Sequence, residues 1–318
     1  MAKKRKRRSR RAKKWTLTTV LRYVLWCVIA IAALWYGAKT GRFDNLLPAD
    51  KGSSIPGRVD LQQAALVHFI DVGEGSSSLI QIDNINILID AGDVEYGKDL
   101  AAYLKNEGIQ EIHYCFLSHL HADHIGGMSE VMQQIQVDQI YTGELPQESI
   151  PTSAVFTELL DLIEQQNVSF SYVEMGDVFK VGGATIRVLG PAKNTYSDLN
   201  DTSLLLQFTY GKHSFLFCGD ATSLEEKDVL KTGVDLSSTV LAVAHHGSNT
   251  STSSAFLAAV NPIYAIISVG ADNSYGHPHQ ETLQKLDQIG TQVFTTMNSG
   301  TVLFETDGTA MVYYTQKE

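Results

Sequence analysis

The sequence contains few cysteines and few long apolar runs. Its three cysteines, Cys27, Cys115 and Cys218, each lie in an apolar segment, where small buried thiols usually sit. No disulfide framework is therefore predicted. This fits an intracellular protein, and equally an extracytoplasmic protein whose core needs no covalent staple. One apolar segment is too few for a membrane channel, which excludes a pore formed by this chain alone.

Basic residues are scarce outside the N-terminus. Residues 3–14 carry ten Lys or Arg and no acid, whereas from Lys39 onward 14 basic residues stand against 35 acidic ones. The overall net charge of -10 therefore hides two ends of opposite sign. Because an acidic body repels polyanions at long range, the sequence argues against bulk electrostatic capture of nucleic acid.

The N-terminus is interpreted as a membrane anchor. Residues 1–15 form a basic tail and residues 16–38 a transmembrane helix, whose charge-free part can be extended if Arg22 snorkels toward the headgroups. The positive-inside rule predicts a single-pass cell-membrane protein with a cytoplasmic N-terminus and an extracytoplasmic catalytic body. A cleaved signal peptide is one alternative. The other is a basic tail that binds nucleic acid while the apolar stretch packs internally.

The remaining 280 or so residues are predicted to form a linker and one domain. Residues 39–64 contain Gly, Pro and Ser, as linkers do, and residues 65–318 alternate short apolar strands with amphipathic helices. Blocks of strands separated by helices predict an α/β protein with two packed sheets covered on both faces, a four-layer αββα sandwich.

Histidines cluster in three polar segments. None of the ten precedes His68, and four candidate ligands, His119, His121, Asp123 and His124, follow an apolar strand within six residues. A loop can turn all four side chains toward one point, and neutral imidazole and carboxylate are ligands that borderline divalent metals prefer. The alternative is an ordinary polar loop or a set of helix-capping residues. The spacing favours a metal centre.

Six segments together resemble the metallo-beta-lactamase superfamily, and within it the branch similar to the hydrolase-like domain of the competence protein ComEC. They are FIDVGEGSS, LIDAGD, SHLHADHIGG, FCGDA, AHHGSNTSTS and SVGADNSYGHP. They follow one another from about Leu66 to the C-terminus. The resemblance implies the four-layer sandwich and a metal-dependent hydrolase.

The resemblance also implies a ligand set for two divalent ions, zinc or manganese. His119 and His121 resemble ligands of the first ion, Asp123 and His124 ligands of the second, and Asp220 the bridging carboxylate. Asp220 also ends an apolar strand, where a buried acid needs a cation to be tolerated.

One histidine of the AHHGS segment should complete the shell of the second ion, and the sequence does not decide between the two. We assign His245 to the metal and His246, with Asp123 and His277, to catalysis. His277, which precedes a proline, is equally consistent with a structural turn.

Two positions depart from the family pattern. Asn200 and Ser203 lie where many members have a further metal histidine, which leaves the first ion short of a protein ligand. Ser76 stands where an acid is usual, so the support of the ligands is predicted to differ there.

The implied reaction is hydrolysis of a phosphodiester, in nucleic acid or at the cell surface, by a hydroxide that two metals activate. No nucleotide cofactor is expected. The alternative is a non-catalytic or weakly active binding module of the same fold, with a role in DNA uptake or cell-envelope processes.

Overall fold

The computed structural model describes residues 64–317. The predicted basic tail, the transmembrane helix at 16–38 and all but the last residue of the linker lie outside the described residues. Between residues 64 and 317, no helix is both long and apolar enough to cross a membrane.

The first sheet has eight strands in the order β17-β16-β1-β2-β3-β5-β7-β8. The strands are β1 (Ala65–Phe69), β2 (Ser78–Ile82), β3 (Ile85–Ile89), β5 (Tyr114–Phe116), β7 (Gln139–Gly143), β8 (Ser169–Val173), β16 (Val302–Thr306) and β17 (Met311–Thr315). From β17 to β3 neighbouring strands are antiparallel, and from β3 to β8 they are parallel. Strands β4 (Glu111–Ile112) and β6 (Gln136–Val137) pair separately.

The second sheet has seven strands in the order β15-β14-β13-β12-β11-β10-β9. The strands are β9 (Val178–Val181), β10 (Ala184–Gly190), β11 (Leu205–Tyr210), β12 (His213–Phe217), β13 (Val240–Ala242), β14 (Tyr264–Ile267) and β15 (Gln292–Thr295). Strands β12 to β15 are parallel. Their carboxyl ends therefore meet at one edge of this sheet.

Helices cover the outer faces of both sheets. They are α1 (Gly97–Asn106), α2 (Ala122–Ile125), α3 (Met128–Gln134), α4 (Ala154–Gln166), α5 (Ser223–Thr232), α6 (Ser254–Val260), α7 (Gln280–Gln288) and α8 (Thr296–Ser299). Leu100 and Leu159 belong to a core against the first sheet, and Val229 and Phe256 to a core against the second. Burial of each such side chain contributes about 1.5–3 kcal/mol.

A third core lies between the two sheets and joins them. Phe69 of β1 stacks on Phe217 of β12 with ring centroids 5.6 Å apart, and it meets Phe304 of β16 edge-on at 6.0 Å. Three cores separated by two sheets make four layers. The predicted α/β sandwich is confirmed.

Two glycines set the distance between the histidine-rich loop and the turn after β3. A Cβ on Gly127 would lie 2.1 Å from the carbonyl oxygen of Ala91, and one on Gly126 would lie 2.4 Å from the backbone nitrogen of Val94. Real side chains do not tolerate such contacts, so only glycine permits this approach. The turn after β3 is thereby packed directly beneath α2.

Candidate metal centre

The predicted ligands follow the ends of three strands. Most lie in the connecting loops, whereas Asp123 and His124 lie in the short helix α2. His119, His121, Asp123 and His124 follow β5, Asp220 follows β12, and His245 and His246 follow β13. Loops at the carboxyl ends of parallel strands carry binding sites in α/β proteins because a rigid sheet positions them. The packing of the two sheets brings the three loops together.

Four side chains form the tightest group. Asp123, His124, Asp220 and His246 each offer a ligand atom, and these atoms all lie within 4.8 Å of one another. Oδ1 of Asp220 is 3.1 Å from Nε2 of His124 and 3.5 Å from Nε2 of His246. Nε2 of His246 is also 3.2 Å from Oδ2 of Asp123.

The other oxygen of Asp220 faces a second set of histidines. Its Oδ2 lies 3.9 Å from Nε2 of His119 and 3.8 Å from Nε2 of His245. His121 joins this set, with Nδ1 3.0 Å from Nε2 of His119. Ligand atoms of a tetrahedral zinc site lie about 3.4 Å apart when the bonds are about 2.1 Å. Asp220 thus stands between two groups of ligand type, one on each oxygen.

Two buried atoms of the centre indicate that a metal ion would fit there. Nε2 of His124 and Oδ1 of Asp220 have no hydrogen-bond partner, and the two residues are 0% and 3% exposed. A buried polar atom left unpaired costs about 1–3 kcal/mol, and more if it is charged. A divalent cation between them would satisfy both atoms, and the donor set is one that zinc accepts.

The carboxylates and imidazoles of the centre shift one another's pKa values. Burial alone would raise the pKa of Asp220, but His124 and His246 beside it hold that pKa well below its usual value. Burial would lower the pKa of His246, yet the carboxylates of Asp220 and Asp123 raise it to about 9. Burial and the adjacent His124 keep the pKa of His119 well below its usual value. A neutral imidazole is the form that binds a metal.

Asp90 binds the Nδ1 side of the His124 ring, opposite the Nε2 that faces Asp220. This buried carboxylate accepts hydrogen bonds from the backbone N–H and the hydroxyl of Ser118, both at 2.7 Å. It also accepts from Nδ1 of His124 at 2.8 Å. With Nδ1 carrying the proton, the lone pair of Nε2 points to Asp220. Such a carboxylate fixes the tautomer and the orientation of a histidine ligand.

The two adjacent histidines are separated by unusual backbone geometry. His245 has φ 53° and His246 has φ 52°, a left-handed conformation that costs about 1–2 kcal/mol for each residue that is not glycine. Nδ1 of His246 donates to the carbonyl of Ser268 at 2.9 Å, which directs Nε2 to the four-residue group. Nδ1 of His245 lies 3.2 Å from the hydroxyl of Thr250. The two rings therefore approach different oxygens of Asp220.

His277 lies on the wall of the cavity that contains the centre. The cavity measures about 350 Å³, and Glu74, Asp220 and His246 are also on its wall. Nδ1 of His277 donates to Oε1 of Glu74 at 3.3 Å, and the other carboxylate oxygen accepts from the backbone N–H of Gly270 at 2.9 Å. Glu74 thus holds His277 and leaves Nε2 for a ligand.

The positions that depart from the family pattern have other roles here. Ser203 accepts a hydrogen bond from the backbone N–H of Asp220 at 3.0 Å, and Asn200 lies on the cavity wall. Ser76 contacts the loop of Asp123 through its backbone, with its N–H 3.2 Å from the carbonyl oxygen of Asp123.

Sequence reasoning did not identify Asp90 or Glu74. Both acids stand in Gly-containing turns after apolar strands, in LIDAGD and DVGEGSS. That pattern was the available signal, but an acid in such a turn is also ordinary turn chemistry. Only the contacts with His124 and His277 distinguish the two cases.

Comparison with known proteins identifies the family of this chain. A family model described as the metallo-beta-lactamase superfamily matches residues 70–271. Competence protein ComA of Neisseria gonorrhoeae is 32% identical over 261 residues, which cover 81% of this chain and 35% of that protein. ComE operon protein 3 of Bacillus subtilis is 28% identical over 260 residues, 75% of this chain and 32% of that protein. The chain spans about a third of the length of these relatives.

A solved structure shows the same fold. The metallo-beta-lactamase fold protein YhfI from Bacillus subtilis superposes with a TM-score of 0.53, at 14% sequence identity, over 76% of this chain and 100% of that one. At this identity the likeness concerns the fold alone.

Proposed function

This chain belongs to the metallo-beta-lactamase superfamily, and on that premise we propose that it is a metal-dependent phosphodiesterase with two ion sites. One observation carries the proposal. Asp220 is buried between two groups of ligand type, and its Oδ1 has no hydrogen-bond partner. A carboxylate with one oxygen directed to each group is suited to bridge two ions.

The geometry supports a revised distribution of the ligands. Asp123, His124 and His246 would hold the ion on the Oδ1 side of Asp220. His119, His121 and His245 would hold the ion on the Oδ2 side. This is the ion for which many family members have a further histidine. In this arrangement His246 is a ligand rather than a free catalytic group, and His245 supplies the missing imidazole.

With ions bound, the residues around the centre would have separate roles in hydrolysis. Bound zinc or manganese lowers the pKa of a coordinated water and stabilises charge that develops on phosphoryl oxygens. Burial alone would raise the pKa of Asp123, but the hydrogen bond from His246 holds that pKa below its usual value, so the carboxylate stays ionised and suits a ligand. His277 carries its first proton on Nδ1 toward Glu74, so it would act as the imidazolium and give a second proton, from Nε2, to the leaving oxygen.

The first test is metal content and turnover of the purified full-length protein. We expect about two ions per chain after equilibration with zinc or manganese, and hydrolysis of bis-p-nitrophenyl phosphate that a chelator abolishes. Asp220→Ala should lose both properties, because it removes the shared ligand. Asp138→Ala, which changes an acid outside the cavity, serves as the matched control. A chain that binds no metal and hydrolyses neither this ester nor single-stranded DNA would instead be a binding module.

We further propose that the domain acts outside the cytoplasm, anchored by residues 16–38. The charge pattern of the N-terminus supports this orientation. Protease added to intact cells should degrade a C-terminally tagged protein. Complete protection of the tag, with cleavage after lysis, would reverse the orientation.

A further inference from the structure

A larger cleft opens beside the cavity of the metal centre. Its volume is about 790 Å³. The cleft and the cavity share Glu74, Ala122, Asp123 and Tyr275 as walls. Asp220, whose buried Oδ1 has no hydrogen-bond partner, lies at the cavity end, where the proposed ions would be held. A phosphodiester bound there would extend one of its two arms into the cleft.

The wall of this cleft is strongly acidic. Seven of its sixteen lining residues are Asp or Glu, and one, Lys317, is a cation. Lys317 is already paired with Asp71 at 2.8 Å. Among the described residues, no Lys or Arg forms an ion pair with the lining acids Glu95, Asp99 or Asp272. Walls of one charge focus the field inside a cleft and select the charge of what enters it.

Two tyrosines stand among these acids. Tyr275 is 68% exposed and covers His277 with one face, at a centroid distance of 5.5 Å and an interplanar angle of 17°. Tyr96 covers Gly73, where an added Cβ would lie 2.1 Å from the ring. Burial raises the pKa of the Tyr96 hydroxyl, and the surrounding carboxylates raise it further, with Glu95 contributing most among them. An aromatic face beside carboxylates is the usual environment for an alkylammonium group.

We propose that the substrate is a phosphodiester with one positively charged arm, an ammonium ester, and that the acidic cleft binds this arm. The inference rests on the proposed phosphodiesterase function and names its substrate class. A nucleic acid strand would place one negative charge per nucleotide against cleft acids such as Glu95, Asp99 and Asp272. The cleft therefore selects against the strand and favours the ammonium ester.

The reaction needs no further reactant. Water forms a new bond to phosphorus, the ester bond between phosphorus and the leaving oxygen breaks, and the proton released by the water ends on that oxygen. The products are a phosphomonoester and an alcohol or phenol.

The test compares two esters of equal shape with the full-length protein. One is p-nitrophenyl phosphorylcholine, and the other is p-nitrophenyl 3,3-dimethylbutyl phosphate, in which carbon replaces the charged nitrogen. We expect kcat/KM to favour the choline ester by about tenfold at low ionic strength, and the preference to shrink as salt is added. Equal values for the two esters would overturn the inference.

Two triple variants test whether the acids of the cleft cause the preference for the choline ester. Glu95→Gln/Asp99→Asn/Asp272→Asn removes three exposed charges from the cleft and should reduce the preference to about twofold or less, with bis-p-nitrophenyl phosphate turnover retained. Glu158→Gln/Asp161→Asn/Glu164→Gln removes the same charge from the exposed side of α4 and should keep the preference. A preference that survives in the cleft variant, or disappears equally in the control, would contradict the assignment.

Binding without metal provides a second readout. Saturation-transfer NMR should detect the methyl protons of phosphorylcholine on the metal-free protein, and the signal should fall in the cleft variant and in Tyr275→Leu. Faster turnover of single-stranded DNA than of the choline ester would overturn the inference and leave the phosphodiesterase standing. No turnover of any ester would overturn both.

Discussion

The His246→Ala variant is expected to lose the ion held by the compact group on the Oδ1 side of Asp220, here called the tight ion. It should also lower kcat/KM for bis-p-nitrophenyl phosphate by about 10²- to 10³-fold. The ring of His246 is buried, and its Nε2 lies within the group formed by Asp123, His124 and Asp220. Removal of this ring leaves the ion with one protein ligand fewer. The affinity for the metal should therefore fall, and so should the stabilisation of charge on the phosphoryl oxygens.

The neighbouring His245→Ala variant should behave differently. His245 is 22% exposed at its side chain and approaches only Oδ2 of Asp220, at 3.8 Å. We expect it to weaken the other ion by about 10- to 100-fold in affinity, while the tight ion remains bound. Mass spectrometry of the native protein and a zinc titration would separate the two sites.

A histidine outside the centre supplies the matched control. His113 lies near Glu111, with Nε2 3.8 Å from a carboxylate oxygen, and His113→Ala should leave metal content and turnover unchanged. Loss of the tight ion in His245→Ala, with the ion retained in His246→Ala, would exchange the two assignments. Loss of both ions in both variants would show that the two histidines act in one shell.

The second large effect is expected for His277→Ala, and it should depend on the leaving group. A p-nitrophenol leaving group departs as a stable anion and needs little protonation, whereas an alkyl alcohol does. General acid catalysis contributes about 10²- to 10⁴-fold, so turnover of an alkyl ester should fall by that amount. Turnover of p-nitrophenyl esters should fall only slightly.

Glu74→Gln tests the positioning role. Its Oε1 is 3.3 Å from Nδ1 of His277, and an amide can replace the contact but not the charge. We expect a smaller loss of kcat, again confined to alkyl leaving groups, and little change in KM. A kcat loss of equal size for both leaving groups would indicate that His277 shapes the cavity and does not deliver a proton. His113→Ala is again the control, since His113 does not line the cavity.

The sequence alone predicted the architecture and the residue types of the candidate centre. Apolar strand blocks separated by helices predict two covered sheets, because each strand and helix must bury its apolar face. The spacing His119, His121, Asp123 and His124 is local, so it can be read without a fold. The ending of the apolar strand before Asp220 likewise predicts a buried acid.

Tertiary structure decided how these groups are arranged around Asp220. His245 and His246 are adjacent and chemically identical, so the sequence cannot separate them. Positive φ at both residues, and the contact of His246 with Ser268, send their rings to different oxygens. Backbone geometry of this kind depends on packing between distant segments.

The roles of Asp90 and Glu74, and the presence of the acidic cleft, could be identified only from the tertiary structure. Asp90 is 34 residues from His124 and Glu74 is 203 residues from His277, so no local pattern joins them. The acids of the cleft come from separate turns, and in the sequence they contribute only to a diffuse negative charge. Folding converts that diffuse charge into a local field, because packed sheets bring the loops at their edges into one surface.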